Sequence, residues 1–436
     1  MSDRERTYRI LARLDERPTA AQLAIDHEAG IEDRDFVRTL VLGVLRWRLR
    51  LDHAIEALAG RAIASIDPPV VHLLRLGCCQ IWFTNVAGYA AVSETVSLAG
   101  RLTPRAKGFV NAVLRRATER PIASLDPEGD SITAVSIRTA HPTWLLERWA
   151  ATFGAARAAA IAEADQELSY PDLLVNVMRW SVDDAAQELT NRGIVFERSL
   201  LEPAMFRLRE STARVADLVR HGRAYAMDEG SAAIASLLPR GCGRVIDLAA
   251  APGGKSIALA LAGHRVVSHD ISIGRIQPLV RANAKMFGRA ARVVIGDGAH
   301  APFRRGVDAV LVDAPCSATG TLRKNPEARW RLTPQRIAAM TTTQASMLDA
   351  ALSLEPDFCL YATCSLEPEE NDAVVDGVLA THAGYERFDL ATLAEGPIAD
   401  WIESGTLRLT PESGADGFTA IGIARKNSRA QGAIVR

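Results

Sequence analysis

The chain has 436 residues, of which 48% are hydrophobic and 24% are charged, and its formal net charge is −1. This length exceeds a single core of roughly 100–200 residues, so two or three domains are expected in a chain of globular rather than disordered composition. The balanced charge excludes a global basic field, so binding to a nucleic acid would have to come from local patches.

The cysteines and the N-terminal sequence indicate the cellular compartment in which the protein is expected. No CxxC pair and no His/Cys cluster with zinc spacing occurs, and a disulfide framework is not expected in so long a chain. The N-terminal stretch MSDRERTYRILARLDER lacks the apolar core of a signal peptide, and no apolar run approaches about 20 residues. We therefore predict a cytoplasmic protein with no membrane segment and no metal site. The cysteines are Cys78, Cys79, Cys242, Cys316, Cys359 and Cys364.

The first part of the chain, residues 1–135, is predicted to be an all-α bundle. Apolar residues recur there at helical spacing, and short Gly, Pro and Asp breaks separate the segments. These segments are YRILARL, FVRTLVLGVLRWRLRLDHAIEAL, VVHLLRLGCCQIWF, AAVSETVSLAGRL and KGFVNAVLRRAT. The stretch Glu119 to Thr133 is aperiodic and rich in Pro, Gly and Asp, which is typical of a linker.

A second part, residues 136–212, is predicted to be a helical linker followed by a small α/β segment. HPTWLLERWAATFG restarts a helix at His141, with Pro142 suited to its first turn. The segments YPDLLVNVMRW, DDAAQELTNRG and IVFERSLL complete this part.

Residues 213–430 alternate between strand-like and helix-like segments, which predicts a Rossmann-like α/β domain with a mostly parallel sheet. Such folds bind ligands at the carboxyl ends of their strands. The predicted strands are RVIDLAA, HRVVSHD, ARVVIGDG, VDAVLVDAP, FCLYATCSL and TAIGIARK, and the helices between them are SIALALA, RIQPLVRANAKMFG, QASMLDAALSL and NDAVVDGVLATH.

The segment DLAAAPGGKS, Asp247 to Ser256, joins the first of these strands to a helix. Gly253 and Gly254 let the backbone approach a ligand closely, and the following helix N-terminus favours a polar or anionic group. The segment is neither a GxxxxGK[ST] loop nor a GxGxxG loop. An ordinary glycine-rich turn remains an alternative explanation.

Three successive strands end in an acid, namely Asp270, Asp297 and Asp313. An acid at the second strand end can bind ribose hydroxyls, and one at the third can accept from an adenine amine. The series indicates a nucleoside cofactor, and the missing phosphate loop favours S-adenosyl-L-methionine over ATP or NAD.

Cys316 and Cys364 each follow a predicted strand directly and precede a serine in a polar loop. A thiolate that adds to C6 of a pyrimidine makes C5 nucleophilic enough to accept a methyl group, and a second thiol can help the adduct come apart. Free cysteines are often simply buried, and we assign the other four cysteines to that class.

DLAAAPGGKS, VDAPCSATGTLRKNP, YATCSLEPEEN and SGADGFTAIGIARK resemble the motifs of bacterial RNA cytosine-C5 methyltransferases of the Sun/NOL1/NOP2 family. GVLRWRLRLD and KGFVNAVLRR resemble the NusB-type RNA-binding domain fused to the ribosomal members. The resemblance covers nearly the whole chain. It implies that Cys364 attacks C6, that Cys316 assists release, and that Asp313 holds the base edge with Lys255 between base and cofactor. The cofactor residues it implies are Ala249, Ala250, Ala251, Pro252, Gly253, Gly254, Lys255, Asp270, Asp297 and Asp313.

The chain departs from the family pattern in a few places. Ala249 stands where the family often has Cys, Ser256 where it often has Thr, and Met227 where it often has Gln. The stretch ISIGRIQPL after Asp270 is also atypical of the family.

Two groups of basic residues are candidate RNA contacts, and solvated helix faces are the alternative for both. A base that reacts at C5 and C6 must be exposed, which favours single-stranded or loop RNA. The candidates are Arg46, Arg48, Arg50, Lys107, Arg115 and Arg116 in the helical part, and Arg323, Lys324, Arg329 and Arg331 after Cys316.

The sequence thus predicts a monomeric methyltransferase that acts on C5 of cytosine in ribosomal RNA, with the small-subunit 16S rRNA favoured. A tRNA cytosine-C5 methyltransferase and an inactive RNA-binding assembly factor remain alternatives. The nucleophile also has an alternative, because DNA cytosine-C5 methyltransferases use the cysteine of a Pro-Cys motif, here Cys316.

Overall fold

The computed structural model describes residues 1–169, 171–209 and 212–426. Tyr170 of the predicted segment YPDLLVNVMRW and the predicted domain end at residue 430 lie outside these residues. The chain forms two compact units, the first made of Met1–Glu167 with Leu322–Arg331 and the second of Leu168–Thr321 with the chain from Leu332 onward. The segment Leu322–Arg331 therefore leaves the α/β unit and folds with the helical unit.

The helices follow the predicted order, with additional ones between the motifs. They are α1 (Asp3–Glu16), α2 (Ala21–Asp26), α3 (Arg34–Ala59), α4 (Pro68–Phe83), α5 (Gly88–Leu102), α6 (Lys107–Glu119), α7 (Ile132–Arg138), α8 (Thr143–Phe153), α9 (Ala155–Ala164), α10 (Val182–Asn191), α11 (Ala216–Arg220), α12 (Glu229–Ser236), α13 (Gly254–Leu261), α14 (Ile273–Phe287), α15 (Ala328–Arg331), α16 (Pro334–Ser353) and α17 (Asp372–Leu379).

The strands belong to two sheets of the second unit. They are β1 (Asp172–Val175), β2 (Phe196–Arg198), β3 (Met205–Leu208), β4 (Ala224–Ala226), β5 (Arg244–Leu248), β6 (Arg265–Asp270), β7 (Val293–Ile295), β8 (Ala309–Asp313), β9 (Phe358–Thr363), β10 (Tyr385–Phe388), β11 (Ile402–Glu403), β12 (Thr406–Leu409) and β13 (Phe418–Arg425).

Helix α3 shows why the helical unit forms. Asp33 caps its N-terminus by accepting the backbone N–H of Phe36 at 2.9 Å, and Gly60 ends it in the left-handed conformation with φ 67°. The apolar stripe that includes Leu40, Val41 and Leu51 is buried against α4 and its neighbours. The predicted all-α bundle is confirmed.

The small sheet has the order β2-β3-β1-β4 and its pairings are antiparallel. Leu173, Val175 and Phe206 line its core together with Ala185 and Leu189 of α10. This arrangement is the small α/β segment that the sequence predicts.

The large sheet has the order β11-β12-β13-β9-β8-β5-β6-β7, with β10 paired to β13. Strands β5 to β9 pair in parallel and the remaining pairings are antiparallel, which confirms the mostly parallel Rossmann-like sheet. Apolar clusters cover both faces of this sheet. The carboxyl ends of β5, β6, β7, β8 and β9 consequently meet at one edge, where the sequence motifs lie.

Candidate active site

The two cysteine loops emerge side by side from neighbouring strands. Strands β8 and β9 are parallel neighbours, and Asp313 at the end of β8 is in register with Ala362. The next residues of each chain segment lead to Cys316 and Cys364, whose Sγ atoms are 3.2 Å apart. Both are free thiols. The sheet therefore brings the two predicted thiols into one place.

A buried lysine paired with a partly exposed aspartate completes the group of polar side chains at these strand ends. Lys255, in the first turn of α13, is 7% exposed, and its Nζ lies 2.8 Å from Oδ1 of Asp313. Its ammonium also lies over the ring of Phe418, 5.2 Å from the centroid. Burial alone would lower the pKa of Lys255, but the charges of Asp313 and Cys364 raise it overall. Lys255 thus provides a fixed positive charge beside Asp313 that also interacts with the charge of Cys364.

The surroundings of Cys316 make its thiol difficult to ionise. The pKa of the Cys316 thiol is raised well above its usual range by its hydrogen bond with Cys364, by burial, and by the charges of Cys364 and Glu370. The charge of Glu370 is therefore one of the causes that oppose ionisation of Cys316.

The segment SGADGF, at the start of the SGADGFTAIGIARK motif, supports the loop that follows Cys316. Gly320 donates its N–H to the carbonyl of Cys364 at 3.0 Å, and its own carbonyl accepts from Gly417 at 2.7 Å. A Cβ on Gly320 would lie 2.1 Å from the carbonyl oxygen of Gly417, so only glycine fits this contact. SGADGF therefore packs against the cysteine loops.

The predicted cofactor loop is held in a defined shape after β5. Ala249 adopts a left-handed φ of 61°, and Ala250 donates its N–H to the carbonyl of His269 on β6 at 2.8 Å. The loop continues through Pro252 to Gly253, which has φ 119° and precedes α13. A Cβ on Gly253 would also collide with Leu279, so both its backbone angle and its surroundings require glycine.

A buried polar cluster lies at the base of this loop. Ser256 of α13 donates to Oδ2 of Asp247 at 2.5 Å and contacts the hydroxyl of Ser268 at 2.7 Å. Burial raises the pKa of Asp247 to about 7, although the bond from Ser256 opposes the shift. Serine therefore supplies the hydroxyl at the position where the family often has threonine.

Asp270 is part of the loop's framework. It is 1% exposed, and its two carboxylate oxygens accept the N–H groups of Ala251 at 3.1 Å and of Ser272 at 2.9 Å. Asp297 is more open, with 56% of its side chain exposed, and it accepts from Ala299 and pairs with His300. These contacts lower the pKa of Asp297. The contacts of both acids with a cofactor stay predictions.

Three exposed isoleucines that the sequence motifs did not indicate lie close to Asp270 in sequence or strand register. Ile271 and Ile273 are 66% and 67% exposed just after Asp270, and Ile295 is 44% exposed in register with Asp270. Exposed isoleucines beside carboxylates suit an apolar ring with polar edges, as in a nucleoside. These isoleucines are exposed because they lie where β6 and β7 end, and no periodic pattern in the sequence predicts that exposure. The methyl group of Met227 also lies next to this loop, since a Cβ on Gly254 would be 3.2 Å from it.

Most of the candidate RNA-binding arginines in the helical part have partners within the protein. Arg46 donates to the carbonyls of Asp165 and Arg323, at 2.8 and 2.6 Å. Arg48 and Arg50 pair with Asp15 and Asp126, and Arg116 donates to the carbonyl of Leu58. Lys107 and Arg115 are exposed.

The basic run after Cys316 is not a solvated loop. Arg329 is 1% exposed and donates to the carbonyls of Arg46, Thr139 and Ala140. Burial lowers its pKa to about 9, although the nearby Asp165 opposes the shift. Trp330 donates to the carbonyl of Leu45 at 2.6 Å, and Arg323 is 6% exposed. The structure thus overturns both alternatives for Arg329, RNA contact and solvated surface, because its guanidinium is used inside the helical unit. Arg323 is also buried, whereas Lys324 and Arg331 are partly exposed.

Within residues 1–169, 171–209 and 212–426, no helix is long and apolar enough to span a bilayer.

Three family models match the chain. Residues 1–119 match the NusB family, residues 141–214 match an RsmF/B-like ferredoxin-like domain, and residues 234–422 match the 16S rRNA methyltransferase RsmB/F family.

The chain is also similar to curated proteins along nearly its whole length. A putative methyltransferase of Mycobacterium tuberculosis is 35% identical over 421 residues, which cover 91% of this chain and 90% of the relative. Ribosomal RNA small subunit methyltransferase B of Pseudomonas putida is 34% identical over 406 residues, covering 88% and 89% of the two chains. Among solved structures, PH0851 has a TM-score of 0.77 at 22% identity and covers 98% of this chain and 99% of its own, a likeness of fold.

Proposed function

The chain belongs to the RsmB/F family of 16S rRNA methyltransferases, and we propose from that premise that it methylates C5 of a cytosine in small-subunit rRNA. The proposal includes a covalent bond between Cys364 and C6 of the base. The observation that carries it is the convergence of two thiols 3.2 Å apart with the Lys255–Asp313 pair.

The cofactor is S-adenosyl-L-methionine, whose sulfonium supplies an electrophilic methyl group. The residues at the strand ends fit it: the exposed carboxylate of Asp297 suits polar ring edges, and Ile271 and Ile295 suit the ring faces. Asp270 fixes the loop Ala249 to Gly254 that would lie along it.

Each site residue has a definite task in this proposal. The Cys364 thiolate adds to C6, which forms an Sγ–C6 bond and moves the electron pair of the C5=C6 double bond to C5, where a methyl group can be accepted. Asp313 accepts from the exocyclic amine of the base, and Lys255 balances the charge beside it.

The final step returns the enzyme to its starting state. Cys316, or a water that it holds, takes the proton from C5, the C5=C6 double bond re-forms, and the Cys364 thiolate leaves. One methyl group has then been gained by the base, and one proton is released to solvent.

Ribosomal RNA of the small subunit is the proposed substrate because relatives of equal length carry that designation. The helical unit matches the NusB family, and its exposed Lys107 and Arg115 remain candidates for phosphate contacts. We propose a cytoplasmic enzyme that acts as a monomer.

Two measurements test this function. Bisulfite sequencing of rRNA from a deletion strain should show a cytosine of the small subunit that loses its methyl group and regains it when the wild-type gene is returned. Purified enzyme should transfer labelled methyl groups to small-subunit rRNA and not to tRNA. Uptake by tRNA alone would assign the tRNA activity instead, and binding of RNA without methyl transfer would indicate an assembly factor.

A further inference from the structure

The residues that follow the two cysteines, Ser317 and Ser365, both contact the same buried carboxylate. Glu370 is 0% exposed, and its Oε2 accepts the hydroxyls of Ser317 and Ser365. Its Oε1 accepts the backbone N–H of Ser317 at 2.8 Å. The serine hydroxyls are themselves 3.1 Å apart. One side chain therefore joins the loop after β8 to the loop after β9.

Two further elements fix this carboxylate in place. Nε2 of Gln344 in α16 donates to Glu370 Oε1 at 3.1 Å and to the carbonyl of Pro315 at 2.9 Å. The hydroxyl of Tyr361 in β9 donates to the backbone carbonyl of Glu370 at 2.6 Å. Four neutral donors thus surround the carboxylate, and losing it would leave these buried donors without their acceptor.

The carboxylate is bonded more closely to the Cys316 loop, since it accepts both the backbone N–H and the hydroxyl of Ser317 but only the hydroxyl of Ser365. Its charge contributes to the raised pKa of Cys316, after the Cys364 hydrogen bond and burial, whereas the cation near Cys364 is Lys255. Once one of two thiols 3.2 Å apart has lost its proton, the remaining proton is held between the two sulfurs, and a fixed anion near Cys316 favours the state in which Cys316 keeps it.

We propose that Glu370 is a positioning residue that clamps the two cysteine loops together and keeps the shared proton on Cys316, so that the thiolate forms on Cys364. This inference rests on the proposed function, because it explains which of the two thiols attacks C6. The inference also assigns the two thiols to different steps of the reaction. When the Cys364 sulfur bonds to C6 it loses its negative charge and no longer accepts the hydrogen bond from Cys316, which removes two of the causes that keep Cys316 protonated. The Cys316 thiol can then lose its proton to solvent, and the thiolate that forms can take the proton from C5 in the last step.

Three variants separate the charge of Glu370 from its shape. Glu370→Gln removes the charge but keeps nearly the same size and hydrogen-bonding reach. Glu370→Asp keeps the charge on a shorter side chain. Glu369→Gln is the matched control, since it makes the same change at the neighbouring exposed position.

The first measurement uses the free protein without RNA or cofactor, so it is independent of the proposed reaction. Each cysteine is alkylated briefly with iodoacetamide over a range of pH, and the modified peptides are quantified by mass spectrometry. In the wild type, Cys364 should react faster than Cys316. In Glu370→Gln, the midpoint for Cys316 should fall by about one pH unit, an effect expected for one nearby charge. Glu370→Asp and Glu369→Gln should leave that midpoint in place.

The second measurement is the rate of methyl transfer by each variant. An unchanged affinity for the cofactor serves as the check that the variant is folded. Glu370→Gln and Glu370→Asp should lower kcat by about 10²-fold with little change in KM for RNA, which is the range of misplaced catalytic groups. Faster alkylation of Cys316 than of Cys364 in the wild type would overturn the proposal even if a variant does not fold. An unmoved Cys316 midpoint in folded Glu370→Gln would overturn it as well. Absence of cytosine methylation by the wild type, with the midpoint shift present, would instead count against the proposed function.

Discussion

Two polar regions follow one another along the chain and serve different purposes. The first is the cysteine site, with Asp313 and Cys316, and the second is the segment Leu322–Arg331. Asp313 keeps 29% of its side chain exposed and contacts another polar side chain. Arg329, by contrast, is 1% exposed and directs its guanidinium at backbone carbonyls.

The difference shows how a polar cluster that can react is distinguished from one that only stabilises the fold. Groups that can react are partly accessible, as Asp313 and the two thiols are, and they are held in place by one another or by a neighbour such as Lys255. A charged group that is enclosed and bonded to carbonyls supports the chain around it instead. Variants in the first region should change the reaction, and variants in the second should change stability.

The largest effect is expected for Cys364→Ala. Without this thiolate no group makes C5 nucleophilic, so methyl transfer should fall by at least about 10³-fold, while the unfolding transition stays nearly in place. Transfer of labelled methyl groups to small-subunit rRNA measures the loss. The matched control is Cys242→Ala, a partly buried cysteine just before β5, at the amino end of that strand and not at the carboxyl ends where the site lies. Retained turnover in Cys364→Ala with loss in Cys316→Ala would exchange the roles of the two thiols.

Cys316→Ala should give a trapped intermediate. Cys364 can still attack, but nothing removes the C5 proton, so the enzyme should stay bonded to C6 and turnover should fall by about 10²–10⁴-fold. A slow-migrating protein–RNA band on a denaturing gel detects the adduct, and it should vanish in the Cys316/Cys364 double variant. Normal turnover without a band would make Cys316 a packing residue.

Arg329→Met tests the second region. Removing the guanidinium takes the side-chain donor from the carbonyl of Ala140 and removes a cation near buried Asp165, so the helical unit should lose about 3 kcal/mol of stability. Urea denaturation followed by a probe in the helical unit measures this loss. Arg115→Met, at an exposed position, serves as the control and should change little. Weakened RNA binding with unchanged stability in Arg329→Met would place this arginine at the RNA interface.

A smaller effect is expected for Asp270→Ala. Loss of the acceptor for Ala251 and Ser272 should loosen the cofactor loop and weaken S-adenosylmethionine binding by about 1–3 kcal/mol. Calorimetry measures the dissociation constant, and Asp297→Ala provides the comparison at the more exposed acid. An unchanged dissociation constant in Asp270→Ala would place the cofactor away from this loop.

The smallest effect is expected for Arg115→Ala. If Arg115 contacts one phosphate, the slope of RNA affinity against salt should fall by about one unit, while stability changes by less than about 0.5 kcal/mol. An identical affinity and slope would make Arg115 solvated surface. A point variant is the cleaner test here, because deleting residues 1–135 would remove the carbonyls of Leu45 and Arg46 that Trp330 and Arg329 contact.

Much of the site could be predicted from the sequence because of the way a parallel sheet is built. Residues that directly follow successive strands must lie at one edge, so the positions of Asp313, Cys316 and Cys364 followed from the strand pattern before any distance was known. The order of helices and strands followed in the same way from apolar periodicity, since burial of one face imposes it. The exact ranges 1–135, 136–212 and 213–430 stay predictions.

Tertiary structure alone decided the partners of the buried charges. Glu370 lies in the stretch YATCSLEPEEN and resembles its exposed neighbour Glu369 in the sequence, yet it is enclosed by Ser317, Ser365 and Gln344. Arg329 likewise resembles any surface arginine until the carbonyls around it are known. The periodicity of apolar residues predicts which of them are buried. A charged residue, by contrast, can be buried wherever distant segments supply hydrogen-bond donors or acceptors, and only folding brings those segments together.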